Sequence, residues 1–219
     1  MKLLVINLFI INLLFSSTDT TSNNYNSSFQ GGFGVMSVNI PDVVDYLNSK
    51  NASQRFEEFN TLPEFFLSYN LNINNNYLVG LEYNYNLKYN SLQNSIDGID
   101  QVNYDAKTFV LNLSKTVYEN YFNYNYGINF GVVNSSISEH NGIYGIEKTY
   151  KTTGYLFGGN GTFKLLFDEN LSSNIDIIIK YISTENFKDS NMQLLKYSSK
   201  NVSFSHFGIG IRFGFSYKI

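Results

Sequence analysis

Residues 206–219 read HFGIGIRFGFSYKI. Phe207, Ile209, Ile211, Phe213, Phe215, Tyr217 and Ile219 are bulky and apolar, and Gly208, Gly210, Arg212, Gly214, Ser216 and Lys218 alternate with them. A period of two is the spacing at which side chains leave opposite faces of a β-strand. One face of this strand is therefore greasy and wide, and the other is small or ionic.

The same alternation runs back through the chain. Candidate strands cover 29–40, 62–73, 77–89, 104–117, 122–132, 149–167 and 174–181, with the last entered from about Val202. Tight turns of Asn, Asp and Glu follow the second, fourth and sixth strands: Asn74-Asn75-Asn76, Glu119-Asn120 and Asp168-Glu169-Asn170. The connections at 41–61, 91–103, 139–148 and 187–200 are long and polar. Short turns at one end and long loops at the other is the plan of an up-and-down barrel in a membrane.

Volume decides which face is outside. The lumen of an eight-stranded barrel is just wide enough for side chains to fill. Five to seven large residues per strand, many of them among the 19 Phe and 18 Tyr, do not fit there. The Gly, Ser, Asn and Thr of the opposite face do. A surface in water carries charges on roughly a quarter or more of its positions, whereas charged residues are 15% of this chain. The reading is an all-β fold: an eight-stranded antiparallel up-and-down transmembrane β-barrel with a short helix in the first long loop. Tyr77 and Tyr89 share a face twelve steps apart, which spans roughly 30 Å of membrane normal at a tilt of about 40°. Together with Tyr181 and Tyr217 they are assigned to the interfaces.

Met1-Lys2, the mostly apolar run Leu3 to Phe15 and the small residues Ser16-Ser17-Thr18 have the layout of a secretory signal peptide. The run is shorter than the about 20 residues a spanning helix needs. The expected organisation is signal peptide 1–18, polar linker 19–28 and barrel 29–219. With no cysteine, a disulfide framework, a thiolate metal site, a cysteine nucleophile and a lipid-modified cysteine anchor are all excluded. A net charge of −3 leaves no basic footprint for nucleic acid.

Glu82, Lys88, Lys164, Asp176, Lys180 and Arg212 fall on the inward face. Charges in a packed lumen must be paired or they cost several kcal/mol each. They are expected to form a salt-bridged network, with Arg212 against Glu82 or Asp176; a gated ion path is the alternative. His140 is placed in a loop and His206 on the inward face of the last strand. Hydrolytic chemistry needs a histidine with a Ser and an acid in reach, and Ser205 points to the opposite face. No catalytic, metal or cofactor site is assigned. The clusters Gly31-Gly32-Phe33-Gly34, Gly158-Gly159-Asn160-Gly161 and Gly208-x-Gly210 read as strand glycines, because no helix or Lys-Ser/Thr follows them. Pro41-Asp42 is good helix-start chemistry, and Val43, Val44 and Leu47 would share one face, with Phe56 and Phe59 further on. That helix either caps the barrel mouth or forms a lid over a ligand.

The terminal pattern Arg212-x-Gly214-x-x-Tyr217-x-Ile219 resembles the closing strand of small outer-membrane β-barrels of the OmpA/OmpX kind, the outer-membrane β-barrel domain proteins. It departs from many members by ending in Ile219 where they have Phe. The resemblance implies that Arg212, Gly214, Tyr217 and Ile219 act as an assembly signal read by the barrel-assembly machinery. It further implies a monomer in the cell outer membrane, in contact with outer-membrane lipid and lipopolysaccharide and with no nucleic-acid partner. The expected role is non-enzymatic: envelope structure, or surface interaction with an unknown ligand through the long loops. A small channel or carrier for hydrophobic or small solutes is the alternative, and a lipid-modifying enzyme a more distant one.

Overall fold

The computed structural model describes residues 27–50, 61–74, 76–92, 98–118 and 122–219. The expected signal peptide, most of the linker, and Phe56 and Phe59 of the first long loop lie outside these residues.

The principal strands are β1 (Ser27–Asn39), β2 (Thr61–Asn74), β3 (Tyr77–Ser91), β4 (Ile99–Tyr118), β5 (Phe122–Asn141), β6 (Ile146–Leu166), β7 (Leu171–Thr184) and β10 (His206–Lys218). They form one closed antiparallel ring in the order β1-β10-β7-β6-β5-β4-β3-β2. A small hairpin of β8 (Lys196–Tyr197) and β9 (Lys200–Asn201) sits in the last long connection, and the helix α1 (Pro41–Lys50) follows β1. β1 starts at Ser27, two residues inside the expected linker.

The ring closes where β1 meets β10, in a register running from Ser28↔Lys218 to Asn39↔Phe207. Closure leaves no strand edge around the belt, which is what hydrocarbon demands of a sheet. Inward glycines set the spacing of this seam. A Cβ on Gly34 would stand 2.5 Å from the Ile211 carbonyl oxygen and 2.6 Å from Arg212 Cγ. The missing side chain thus makes room for the stem of the arginine that crosses the lumen.

Around the outside, Phe33, Leu81, Phe109, Phe130, Ile177, Ile211 and Phe213 are all exposed. Their strand neighbours Gly34, Glu82, Val110, Asp176 and Arg212 face in and are buried. A continuous exposed apolar belt of this extent is a surface for hydrocarbon. Short turns close the lower end. In the turn between β6 and β7, Asp168 Oδ1 accepts the backbone N–H groups of Leu171 (2.6 Å) and Asn170 (2.7 Å). These two donors hold its carboxyl below the usual carboxylate range.

The other end departs from the expectation of long polar loops. β4, β5 and β6 are 20, 20 and 21 residues long, roughly 50 Å of strand along the normal at the usual tilt and twice the height of an apolar belt. The stretch 139–148 is therefore the tip of a continuous β5–β6 hairpin and not an irregular loop. Ser135, Ile137 and Glu139 alternate inward there, so the strand continues after its outward residues have turned polar.

This upper part encloses an apolar core of its own, built on Val102, Tyr104, Val133, Ile137, Leu156 and Ile182. Two segments plug it. Helix α1 inserts Val43, Tyr46 and Leu47, all essentially fully buried. Val44, expected on that face, is only half-buried, and Tyr46 takes its place because it is three residues from Val43 on the helical period. The strap from 185 to 205 inserts Phe187, Leu195, Val202 and Phe204, with Phe204 stacked on Tyr104 at 4.4 Å between ring centroids. Asp42 accepts the Ser203 hydroxyl at 2.8 Å and Asp45 the Tyr197 hydroxyl at 2.8 Å, so helix and strap are tied together.

Gly34→Val should lower barrel stability by about 1–3 kcal/mol, the range for overpacking a filled interior. Gly161→Ala, whose added carbon meets nothing within 4 Å, should leave it unchanged. Denaturant unfolding in lipid vesicles, read by heat-modifiable gel migration, compares the two.

Candidate functional site

Below the apolar plug the lumen is polar and ionic, and Arg212 is its centre. On β10, Arg212 stands directly across from Asp176 of β7, and its Nη2 lies 3.2 Å from Asp176 Oδ2. The same guanidinium grips Glu82 of β3 through both terminal nitrogens, Nη1 to Oε1 at 2.7 Å and Nη2 to Oε2 at 3.2 Å. Nη1 also donates to Asn84 Oδ1 at 3.3 Å and to Glu64 Oε1 at 3.4 Å. The guanidinium plane lies over Phe66, 4.1 Å from the ring centroid. Only a planar, fixed fork of donors can serve three carboxylates and an aromatic face at once.

A second cation completes the lock. Lys180 Nζ donates to Glu64 Oε2 at 2.7 Å with both side chains almost fully buried. Gln30 donates to Asp176 Oδ2 at 3.2 Å and Asn112 to Glu82 Oε2 at 3.4 Å. β1, β2, β3, β4, β7 and β10 are thereby cross-linked through the middle of the barrel. Lys164 lines a small cavity beneath the lock together with Asp176, Glu82 and Arg212. Three buried carboxylates (Glu64, Glu82, Asp176) thus stand against two buried cations, Arg212 and Lys180, with the partly buried Lys164 on the wall of the adjoining cavity.

The structure changes the composition of the expected network at two points. Lys88 is not part of it: it is half-exposed at the rim and donates to the Thr61 carbonyl at 3.2 Å. Six residues separate it from Glu82, about 20 Å of strand, too far to reach the lock. Glu64, absent from the expected set, is central. It lies on the inward face between Leu62 and Phe66, and those apolar neighbours disguise it.

The cavity has about 20 Å³ of space open to water centres, room for one or two waters. The side-chain oxygens of Asn112, Asn125 and Asn160 and Asp176 Oδ1 are buried on its wall with no protein partner. Such acceptors are the natural lining of a hydrated pocket.

Tyr77, Tyr89, Tyr181 and Tyr217 all point outward, Tyr77 half-buried and the other three exposed. On β3 it is Tyr85 that pairs with outward Lys107, while Tyr89 pairs with Asn103 beyond it, so Tyr89 stands about 10 Å above the level of Lys107. Gly214, Tyr217 and Ile219 follow Arg212 along the seam strand, and the Ile219 N–H donates to the Ser27 carbonyl at 2.8 Å. His206 is buried, its Nδ1 2.7 Å from the Phe204 carbonyl and its ring edge-on to Phe204. The Ser205 hydroxyl is engaged with Thr184. His140 belongs to the end of β5 and not to a loop. Among the described residues no cluster of three or more His, Cys, Asp or Glu side chains could hold a metal ion.

No protein-family model matches the sequence, and no curated protein matches it. Solved structures do match in fold. Neisserial surface protein A aligns with a TM-score of 0.57 at 10% identity, over 88% of this chain and 97% of its own. A major outer membrane protein from Thermus thermophilus aligns at 0.54 and 10%, over 88% and 99%. The attachment invasion locus protein of Yersinia pestis, solved with the heparin analogue sucrose octasulfate, aligns at 0.52 and 14%, over 89% and 99%. At such identities the likeness establishes the fold: a closed eight-stranded barrel of the kind built by outer-membrane proteins.

Arg212→Met should destabilise the barrel by about 3–5 kcal/mol, because carboxylates are left buried without a partner. Arg212→Met with Glu82→Gln should cost less than the sum of the single changes. Equilibrium unfolding of the four proteins of this cycle measures the coupling, and strict additivity would remove the pairing.

Proposed function

We propose that this chain is an outer-membrane protein whose barrel is a closed, non-conducting anchor and whose work is done by the structure standing above the membrane. The observation that carries the reading is the filling of the lumen at two levels. The ion lock of Arg212, Glu82, Asp176, Glu64 and Lys180 blocks the lower half, and α1 with the strap 185–205 fills the upper half with apolar side chains. An ion crossing this path would have to break buried salt bridges and then enter a dry core, both strongly unfavourable.

The belt supports placement in the outer membrane of a bacterial envelope. The short turns then face the periplasm and the tall β4–β6 sheet faces outward, as in barrels of this plan. The surroundings are outer-membrane lipid and lipopolysaccharide, and delivery is by a signal peptide and the barrel-assembly machinery, with Arg212, Gly214, Tyr217 and Ile219 as its signal. We read the protein as a monomer. The role is non-enzymatic, since His206 is held by the Phe204 carbonyl inside the plug and Ser205 is committed to Thr184. Surface interaction is favoured over a purely structural role by the three over-long strands, which membrane crossing alone does not need. Two of the proteins similar in fold are described as a surface protein and an attachment invasion locus protein. A channel reading rests on the polar pocket beside Arg212, but at about 20 Å³ that pocket is a chamber and not a path.

Purified protein in planar bilayers should show no single-channel steps at either polarity. Regular open-channel currents from the wild type would overturn the closed-anchor reading and favour the channel.

A further inference from the structure

Outward pairs on the β5–β6 hairpin are apolar up to Val132↔Tyr155 and then polar for four successive rungs: Asn134↔Thr153, Ser136↔Lys151, Ser138↔Thr149 and His140↔Glu147. At the tip the pattern reverses. Ile143, Tyr144 and Ile146 are exposed by 74%, 74% and 61%, among the most open apolar side chains of the described residues. The fold does not require them. The turn is made by Asn141, whose Oδ1 accepts the N–H groups of Ile143 and Tyr144 at 3.1 Å each, and by Gly145 with φ 63°. The Gly145 N–H closes back on the Asn141 carbonyl at 2.8 Å. Polar residues at 143, 144 and 146 would satisfy the same turn and avoid exposing hydrocarbon to water.

The tip does not belong to the barrel's own belt. Eleven residues separate Val132 from Ile143, roughly 25–30 Å along the membrane normal at the usual strand rise and tilt. It is also a poor protein-binding patch. A stable protein interface buries about 800 Å² on each partner, far more than three side chains on a convex turn provide. A bilayer interface makes no such demand: it accepts a small rigid wedge of aliphatic side chains with an amphipathic Tyr beside them. The charges that flank the tip along the hairpin are Glu139, Glu147 and Lys148, with no basic excess, so recognition of anionic lipid has no support.

We propose that Ile143, Tyr144 and Ile146 form an apolar wedge that inserts into the interface of an apposed, zwitterionic phospholipid membrane. The inference rests on the proposed outward placement of the β4–β6 sheet. Docking is shallow and weak for a single copy, insensitive to salt, and gains strength from many copies on one surface.

The chain contains no tryptophan and no cysteine, so Tyr144→Trp and Tyr144→Cys are each unique reporters. On intact cells, Tyr144→Cys should react with a membrane-impermeant maleimide. Failure to label, with labelling only after lysis, would overturn the outward placement itself. With the full-length protein in nanodiscs, Tyr144→Trp should shift to the blue and be quenched by brominated lipid when phosphatidylcholine vesicles are added, equally at low and high salt. Ile143→Ser/Tyr144→Ser/Ile146→Ser should reduce vesicle co-flotation about tenfold or more, with barrel heat-modifiability unchanged. A surface-labelled tip whose tryptophan ignores vesicles overturns the wedge alone. A blue shift seen with a soluble protein but not with vesicles would assign the tip to protein docking instead.

Discussion

A strand in hydrocarbon can hydrogen-bond its peptide groups only to another strand, and the architecture of this protein depends on that constraint. It forces the ring to close between β1 and β10, and it makes the outer face the apolar one. It also hands the interior to whatever is small or ionic. The glycines of the seam follow from the same demand, since Arg212 can cross the lumen only where Gly34 opposite it lacks a side chain. A water-soluble barrel would also close its ring, but it would invert the two faces.

Once the belt has taken the large residues, the interior must be filled by other means, and the protein does so in two layers. The lower layer is electrostatic: three carboxylates and two buried cations share ion pairs and hydrogen bonds in a space where an unpaired charge would be costly. The upper layer is a conventional hydrophobic core, assembled from strand residues above the belt together with α1 and the strap. The division matches the environment. Above the belt the sheet meets water on its outer face and can bury apolar side chains inside, as soluble proteins do.

The belt strands are legible in the sequence because a period of two with Phe, Tyr, Ile and Leu on one face has few other meanings. Arg212 is legible for the same reason: an ionic residue on the small-residue face of a closing strand needs a carboxylate, and Glu82 and Asp176 lie on matching faces. Glu64 is hidden by sitting between inward Leu62 and Phe66, which belong to different layers of the lumen. The upper reaches of β4–β6 are hidden because apolar residues there move from the outer face to the inner one. Val132 faces out and Val133 faces in, and the outward residues that follow are polar. Read alone, that stretch looks like a loop. The strap's Phe187, Leu195, Val202 and Phe204 are scattered among polar residues with no period, and only the closed mouth brings them together.

The central claim is the inverted orientation, and spin-label accessibility along β10 tests it most directly. The native chain has no cysteine, so single labels can be placed on the outward positions of β10 and at inward Ser216, sparing Arg212 and the packed glycines, in protein reconstituted in lipid. Labels at 207, 209, 211, 213 and 215 should collide freely with oxygen and hardly with a water-soluble nickel complex, while the label at 216 should be shielded from both. Nickel reaching the odd-numbered positions, with oxygen no more accessible there than at 216, would place the aromatic face in water and contradict the account.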